Sequence, residues 1–194
     1  MRRLVTTVLI AVIIIYPGVI TGKNYNFYLS PGVATSVGDL SHRAPFGFMG
    51  KAGFGIKPAP VSSPELELIA IGQVYFFPTD KDNYSDLNFI LAGLETRLHL
   101  YPTGMNGFYV TISGGYAYTR IEEQTYELRL GSMVLAKKNI PEIIEHNPYL
   151  SPGFGYEFGS NTGLRFFVEG RFTYIFGAYI KNITYLPFSM GIKF

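Results

Sequence analysis

The chain has 194 residues, enough for one domain and short for two. Its net charge is +2, with 47% hydrophobic and 16% aromatic residues, and it carries 22 Gly beside 15 Tyr and 16 Phe. So weak a charge gives no reason to expect nucleic acid as a partner, and the absence of cysteine excludes a disulfide framework, a thiolate metal site, a Cys nucleophile and a lipid-anchored cysteine.

The first element reads as a targeting signal. Arg2 and Arg3 form a basic start, Leu4 to Ile15 is apolar apart from Thr6 and Thr7, Pro17 and Gly18 break the helix, and Gly22 is small enough to precede a cut. The pattern predicts a signal peptide over residues 1–22 and a mature domain over 23–194, with Gly18 as another cut and an uncleaved anchor as the alternative. The apolar run is shorter than the ~20 residues that span a bilayer.

After Ile20 the recurring signal is period-two alternation broken by turn residues, which predicts strands. Strand one sets Phe27, Leu29, Pro31, Val33, Thr35 and Val37 on one face, and a polar stretch, Gly38 to Ala44, follows. Strand two sets Phe46, Phe48, Ala52, Phe54 and Ile56 there, with Lys51 on the other face, and ends at the Pro/Ser-rich turn 58–64. Strand three runs Leu66 to Phe76, with Glu67 on its second face, and is followed by the polar loop Thr79 to Asp86. Strand four runs Ile90 to Leu100 against Glu95, Arg97, His99 and Tyr101, and strand five runs Phe108 to Tyr118. A long connection covers about 122–147. Strand six then begins at Leu150 with Glu157 on its second face, strand seven runs Leu164 to Phe176 against Arg165, Glu169 and Arg171, and strand eight runs Leu186 to Phe194 against Lys193.

Every charged strand residue falls on the second face and none on the first. A soluble sandwich accounts for alternation, but less well for an apolar face continuous over all eight runs and for glycine crowding the polar face. A closed membrane barrel accounts for both. Its outside meets lipid, its narrow inside must hold side chains from every strand, and closure leaves no backbone edge unpaired. With the N-terminus in the periplasm, the turns after strands two, four and six are periplasmic, and the connections after one, three and five are the longer outer loops. Aromatic girdles are expected at both interfaces, from Phe27, Phe54, Phe108, Phe158 and Phe194 on one side and Phe46, Phe76, Tyr118, Tyr174 and Phe176 on the other. The predicted fold is therefore all-β: an eight-stranded antiparallel up-and-down transmembrane β-barrel after an N-terminal signal peptide.

The closing stretch, with Pro148-Tyr149-Leu150-Ser151-Pro152-Gly153-Phe154-Gly155, Phe166-Phe167-Val168-Glu169-Gly170-Arg171-Phe172 and Leu186-Pro187-Phe188-Ser189-Met190-Gly191-Ile192-Lys193-Phe194, resembles the small outer-membrane β-barrel domain family, the OmpA/OmpX-like group. The resemblance follows the whole mature chain in strand order. It implies a bacterial outer-membrane location and contact with outer-membrane lipid. It also implies that Phe188, Met190, Ile192 and Phe194 serve as the signal read by the outer-membrane assembly machinery, although Ser189 stands where that signal usually has glycine. Members of this family include passive anchors and adhesins.

Catalysis needs a converging constellation. Ser41 and His42 adjoin in a predicted outer loop near Asp39, a weak signal for a hydrolase. His99 reads as a hydrogen-bonded lumen residue beside Arg97 and Tyr101, because no second His or Cys accompanies it as a ligand. No catalytic, cofactor or metal residues are assigned. Lys51, Glu95, Arg97, His99, Glu157, Arg165, Glu169 and Arg171 are expected to form a polar lumen network that pairs its charges and plugs the barrel. The expected function is a structural or surface-binding, adhesin-like barrel, not an enzyme. A narrow channel for small solutes is the alternative, and a lipid hydrolase the less favoured one. A surface ligand would be met by residues 122–147, where strands five and six extend or where Pro141 to Glu145 forms a helical turn.

Overall fold

The described residues of the computed structural model are 25–42, 44–57, 65–78, 86–101, 106–121, 124–130, 133–140, 142–159, 163–177 and 182–194. The expected signal peptide, residues 1–22, lies outside them. The strands are β1 (Tyr25–Val37), β2 (Phe46–Ile56), β3 (Glu65–Phe77), β4 (Leu87–His99), β5 (Gly107–Ile121), β6 (Gln124–Leu130), β7 (Met133–Ile140), β8 (Ile143–Gly159), β9 (Arg165–Arg171), β10 (Thr173–Ile175) and β11 (Ile183–Lys193), with one 3-10 turn at Gly38–His42. Among the described residues no helix is long and apolar enough to cross a membrane.

Each strand pairs antiparallel with its neighbour, and β1 pairs with β11, which closes the sheet into an eight-stranded barrel. The seam runs to the last residue, since Phe27 N–H donates to the Phe194 carbonyl at 2.7 Å and Phe194 N–H donates to the Phe27 carbonyl at 3.1 Å. Segments β9 and β10 are one stave interrupted at Phe172. The interruption has a cause on both sides: Phe172 faces Pro152 of β8, and the neighbouring Arg171 comes opposite Pro187 in the ladder to β11, so two donors are missing at one level. Pro31 and Pro148 also sit on this side of the barrel, whereas β2, β3, β4 and β5 contain no proline.

The alternation turns the usual soluble pattern inside out. Leu94 is 71% exposed, Phe154 68% and Met190 59%, while Glu95, Arg97 and Glu67 are 0% exposed. Except at the outer end of β5 and β8, where Arg120 pairs with Glu142 and His146 is exposed, the outward face is apolar along the barrel strands and the inward face holds the charge, as the sequence predicts. Aromatic contacts ring the end where β1 begins, Phe27 lying 5.1 Å from Phe54 and 6.3 Å from Phe194, and Phe158 5.8 Å from Phe166.

Two expectations are corrected. The sixth strand begins at Ile143, not Leu150. Ile121 pairs with Ile143 and Gln124 with Ile140, three positions further along each strand, so the β5–β8 ladder continues in register into the separate ribbon β6–β7. A helical turn over Pro141 to Glu145 is therefore not formed, because Ile143 to Glu145 are extended and paired to β5. Tyr101 does not join the lumen beside His99. It lies past the end of β4 and is 52% exposed.

Candidate functional site: the lumen and the outer ribbon

The inside of the barrel divides into two halves along its axis. Toward the end where β1 begins and β11 ends, charges meet. Glu95, on β4, receives Lys51 Nζ at 2.9 Å from β2, Arg97 Nη2 at 3.0 Å from its own strand and Arg171 Nη2 at 2.6 Å from β9. Glu169, on β9, receives Lys51 at 3.0 Å, Arg97 at 3.1 Å and Arg171 Nε at 2.6 Å. The Tyr109 hydroxyl donates to Glu169 Oε2 at 3.0 Å, and Arg171 Nη1 donates to Ser113 Oγ at 3.0 Å. Three cations thus share two carboxylates, each bridged from several strands, which compensates the large cost of desolvating each ion.

Arg97 is held by more than charge. Its guanidinium carbon lies 4.2 Å from the Tyr109 ring centre, 4.6 Å from Tyr28 and 5.3 Å from Phe167. The planar cation stacks between these rings while it also reaches its carboxylates, as an arginine can and a lysine does less well.

A second group sits nearer the barrel's end. Glu157 receives Arg165 Nε at 2.5 Å and Lys193 at 3.2 Å, Glu67 lies 3.5 Å from Lys193 and 3.3 Å from His99 Nε2, and Asn26 donates to Glu67. At the rim Lys57 meets Glu65 at 2.7 Å. All eight expected lumen residues therefore point inward, and they form two linked clusters. The expected set lacked Glu67 and Lys193, whose parity already places them on the inward face, and it lacked the arginine's aromatic walls, for which no local sequence signal exists.

The other half of the lumen is apolar. Phe77, Phe89 and Tyr185 are fully buried with ring centres 5.7 to 6.0 Å apart, and Tyr75 lies 4.8 Å from Tyr185. Met49, Leu87, Leu91, Ile175 and Ile183 complete this cluster. Its polar groups are hydroxyls and amides, such as Tyr75 donating to Gln73 Oε1 at 2.7 Å. Glu145 lies at its outer margin, accepting from Asn147 at 2.6 Å.

Glycine makes these fillings fit. A Cβ on Gly155 would strike the Tyr109 ring, and one on Gly191 would strike Phe167. Large inward rings from one strand lie across bare backbone on the next, which explains why glycine crowds the inward face.

The Ser41–His42 pair lies in the 3-10 turn, where the Ser41 hydroxyl donates to the Gly38 carbonyl at 2.7 Å, and His42 is exposed. Among the described residues no group of three or more His, Asp or Glu is placed to hold a metal ion.

No protein-family model matches the sequence, and no curated protein matches it either. Solved structures do match. The N-terminal β-barrel domain of Pseudomonas aeruginosa OprF aligns over 90% of this chain and 100% of its own, with 14% identity and a TM-score of 0.53. Neisserial surface protein A (NspA) aligns over 87% of this chain and 95% of its own, with 13% identity and a TM-score of 0.58. Ail, the attachment invasion locus protein of Yersinia pestis, aligns over 88% of this chain and 99% of its own, with 10% identity and a TM-score of 0.50. At these identities the likeness concerns the fold, and the fold is that of a small closed antiparallel barrel over nearly the whole described chain.

Proposed function

We propose that this barrel is an integral protein of a bacterial outer membrane, closed along its axis, that acts as a structural or surface-binding protein through the hairpin spanning residues 122–147. The single observation that carries the reading is the inverted surface. An exterior that is apolar along the strands below their outer ends, combined with fully buried charge inside, is stable in lipid and costly in water. The fold shared with the OprF domain, NspA and Ail supports the same placement, and Ail, an attachment invasion locus protein, lends support to the surface-binding part.

Closure has its own support. The charged half leaves its ions paired at 2.5 to 3.5 Å, and the apolar half is filled by rings in contact. An eight-stranded barrel has an interior just wide enough for such filling. Reconstituted in planar bilayers, the protein is expected to give no steady ohmic conductance, and in detergent gels to run as a compact band that shifts on boiling. A large steady conductance overturns the closed lumen, and the absence of any heat-dependent shift overturns the barrel in lipid.

A further inference from the structure

The apolar half of the lumen is a complete cross-section of the barrel. β1, β2, β3, β4, β5, β8, β10 and β11 each place at least one buried apolar side chain in the cluster around Phe77, Phe89 and Tyr185, so all eight staves take part, from Ala34 on β1 to Ala117 on β5. The apolar side chains of the charged half close no such ring. Tyr28, Ile69, Ile71, Tyr109 and Phe167 come from β1, β3, β5 and β9 alone. The ion pairs at Glu95 and Glu169 are likewise drawn from β2, β4 and β9. A cover lies on the outer side of the ring layer. Ser36 Oγ donates to the Ala44 carbonyl at 2.5 Å and Ser36 N–H to the Pro45 carbonyl at 3.1 Å, which draws the β1–β2 connection inward until Ala44 joins the cluster.

The charged half communicates with the end where β1 begins. Side-chain exposure is 12% at Lys57 and His99 and falls to 0% at Lys51, Glu95 and Arg97. Polar groups without a hydrogen-bond partner continue inward along the same path. Arg97 Nε and Nη1, the Ser30 hydroxyl and the Gln73 amide nitrogen are buried and have no such partner among the described residues. Groups of this kind are stable inside a protein when water satisfies them. Gln73 faces Lys51 across the β2–β3 ladder, and two positions further along β3 Tyr75 begins the rings.

We infer that the seal against ions is the ring layer of Tyr75, Phe77, Phe89 and Tyr185 and not the ion-pair cluster, and that water from the end where β1 begins reaches as far as Gln73. The physical reason lies in what each half offers an ion. Glu95 and Glu169 each already hold three cations, and an entering ion finds charges there with which to exchange. The rings offer no charge, so an ion that enters them gives up its hydration shell for nothing. The inference rests on the closed-lumen reading and deepens it by naming the residues that close the lumen.

Two double variants separate the two candidate barriers. Phe89→Ser with Tyr185→Ser makes the ring layer smaller and polar. Lys51→Ala with Glu95→Ala removes one cation and one carboxylate from the cluster and leaves its net charge unchanged. Each is first checked for the compact band that shifts on boiling, and the single variants Phe89→Ser and Tyr185→Ser replace the ring double variant if it gives no such band. In planar bilayers bathed in potassium chloride, the ring variant is expected to show steady conductance several-fold above the wild-type baseline, and the charge variant to stay at that baseline. A charge variant that conducts, or a ring variant that stays at baseline, overturns the inference and leaves the closed lumen standing. A wild type that already conducts overturns the closed lumen itself. A measurement on the unaltered chain tests the water path: in detergent micelles, nuclear magnetic resonance transfer of magnetisation from water should reach the side-chain N–H groups of Arg97 and Gln73. Its absence at both overturns the entry of water as far as Gln73.

Discussion

The two halves of the lumen solve the same packing problem with different forces. The charged half is directional: Lys51, Arg97 and Arg171 each touch both Glu95 and Glu169. The apolar half around Phe77, Phe89 and Tyr185 rests on shape and area. One half should fail when a charge is left without its partners, and the other when volume is lost. The first is intolerant of chemistry and the second of space.

The sharpest break is Glu95→Ala. It leaves Lys51 and Arg171 with Glu169 as their one carboxylate in the cluster and Arg97 with Glu169 and the more distant Glu157, and is expected to cost about 3–5 kcal/mol in unfolding free energy. Lys51→Met added to it restores the original charge excess, so the double variant should lose clearly less than the sum of the two singles in a urea titration in vesicles. Additive losses would mean that the charged half behaves as independent contacts. Gly155→Ala tests space inside the charged half. Its methyl meets the Tyr109 ring that also serves Glu169, and about 1–3 kcal/mol of destabilisation by the same titration is expected. In the apolar half Phe89→Leu keeps most of the volume and should cost about 1 kcal/mol, unaffected by a second change at Lys51. Coupling between those two sites would dissolve the distinction between the halves. Smallest is Tyr75→Phe, which removes one hydrogen bond to Gln73, an expected loss of about 1 kcal/mol or less.

Much of this architecture is legible in the chain because a strand's period is two. Parity alone puts Lys51, Glu95, Arg97, His99, Glu157, Arg165, Glu169 and Arg171 inside, and Leu94, Phe154 and Met190 outside. Parity does not say who meets whom. Lys51 and Glu169 are 118 residues apart, and only the stagger of closed strands brings them to one level. The same limit hid the apolar half, for Tyr75, Leu91 and Tyr185 differ from other inward residues only by their height in the barrel. The ribbon was obscured for another reason: Pro141 and the Asn147-Pro148 pair punctuate the sequence like a loop, although the ladder runs on past both. Pro141 lies outside the described residues, and Pro148 faces Tyr116 across an intact β5–β8 register.

The prolines on one side of the barrel have a consequence of their own. A closed sheet has no end from which to fray, so its first opening must start within the wall. Pro31, Pro148, Pro152 and Pro187 remove amide donors from the staves β1, β8 and β11, while β2 to β5 are fully laddered. Amide protons bordering Phe172 should therefore trade with deuterium sooner than those of β3 and β4. These prolines thus mark where the closed wall is expected to part first.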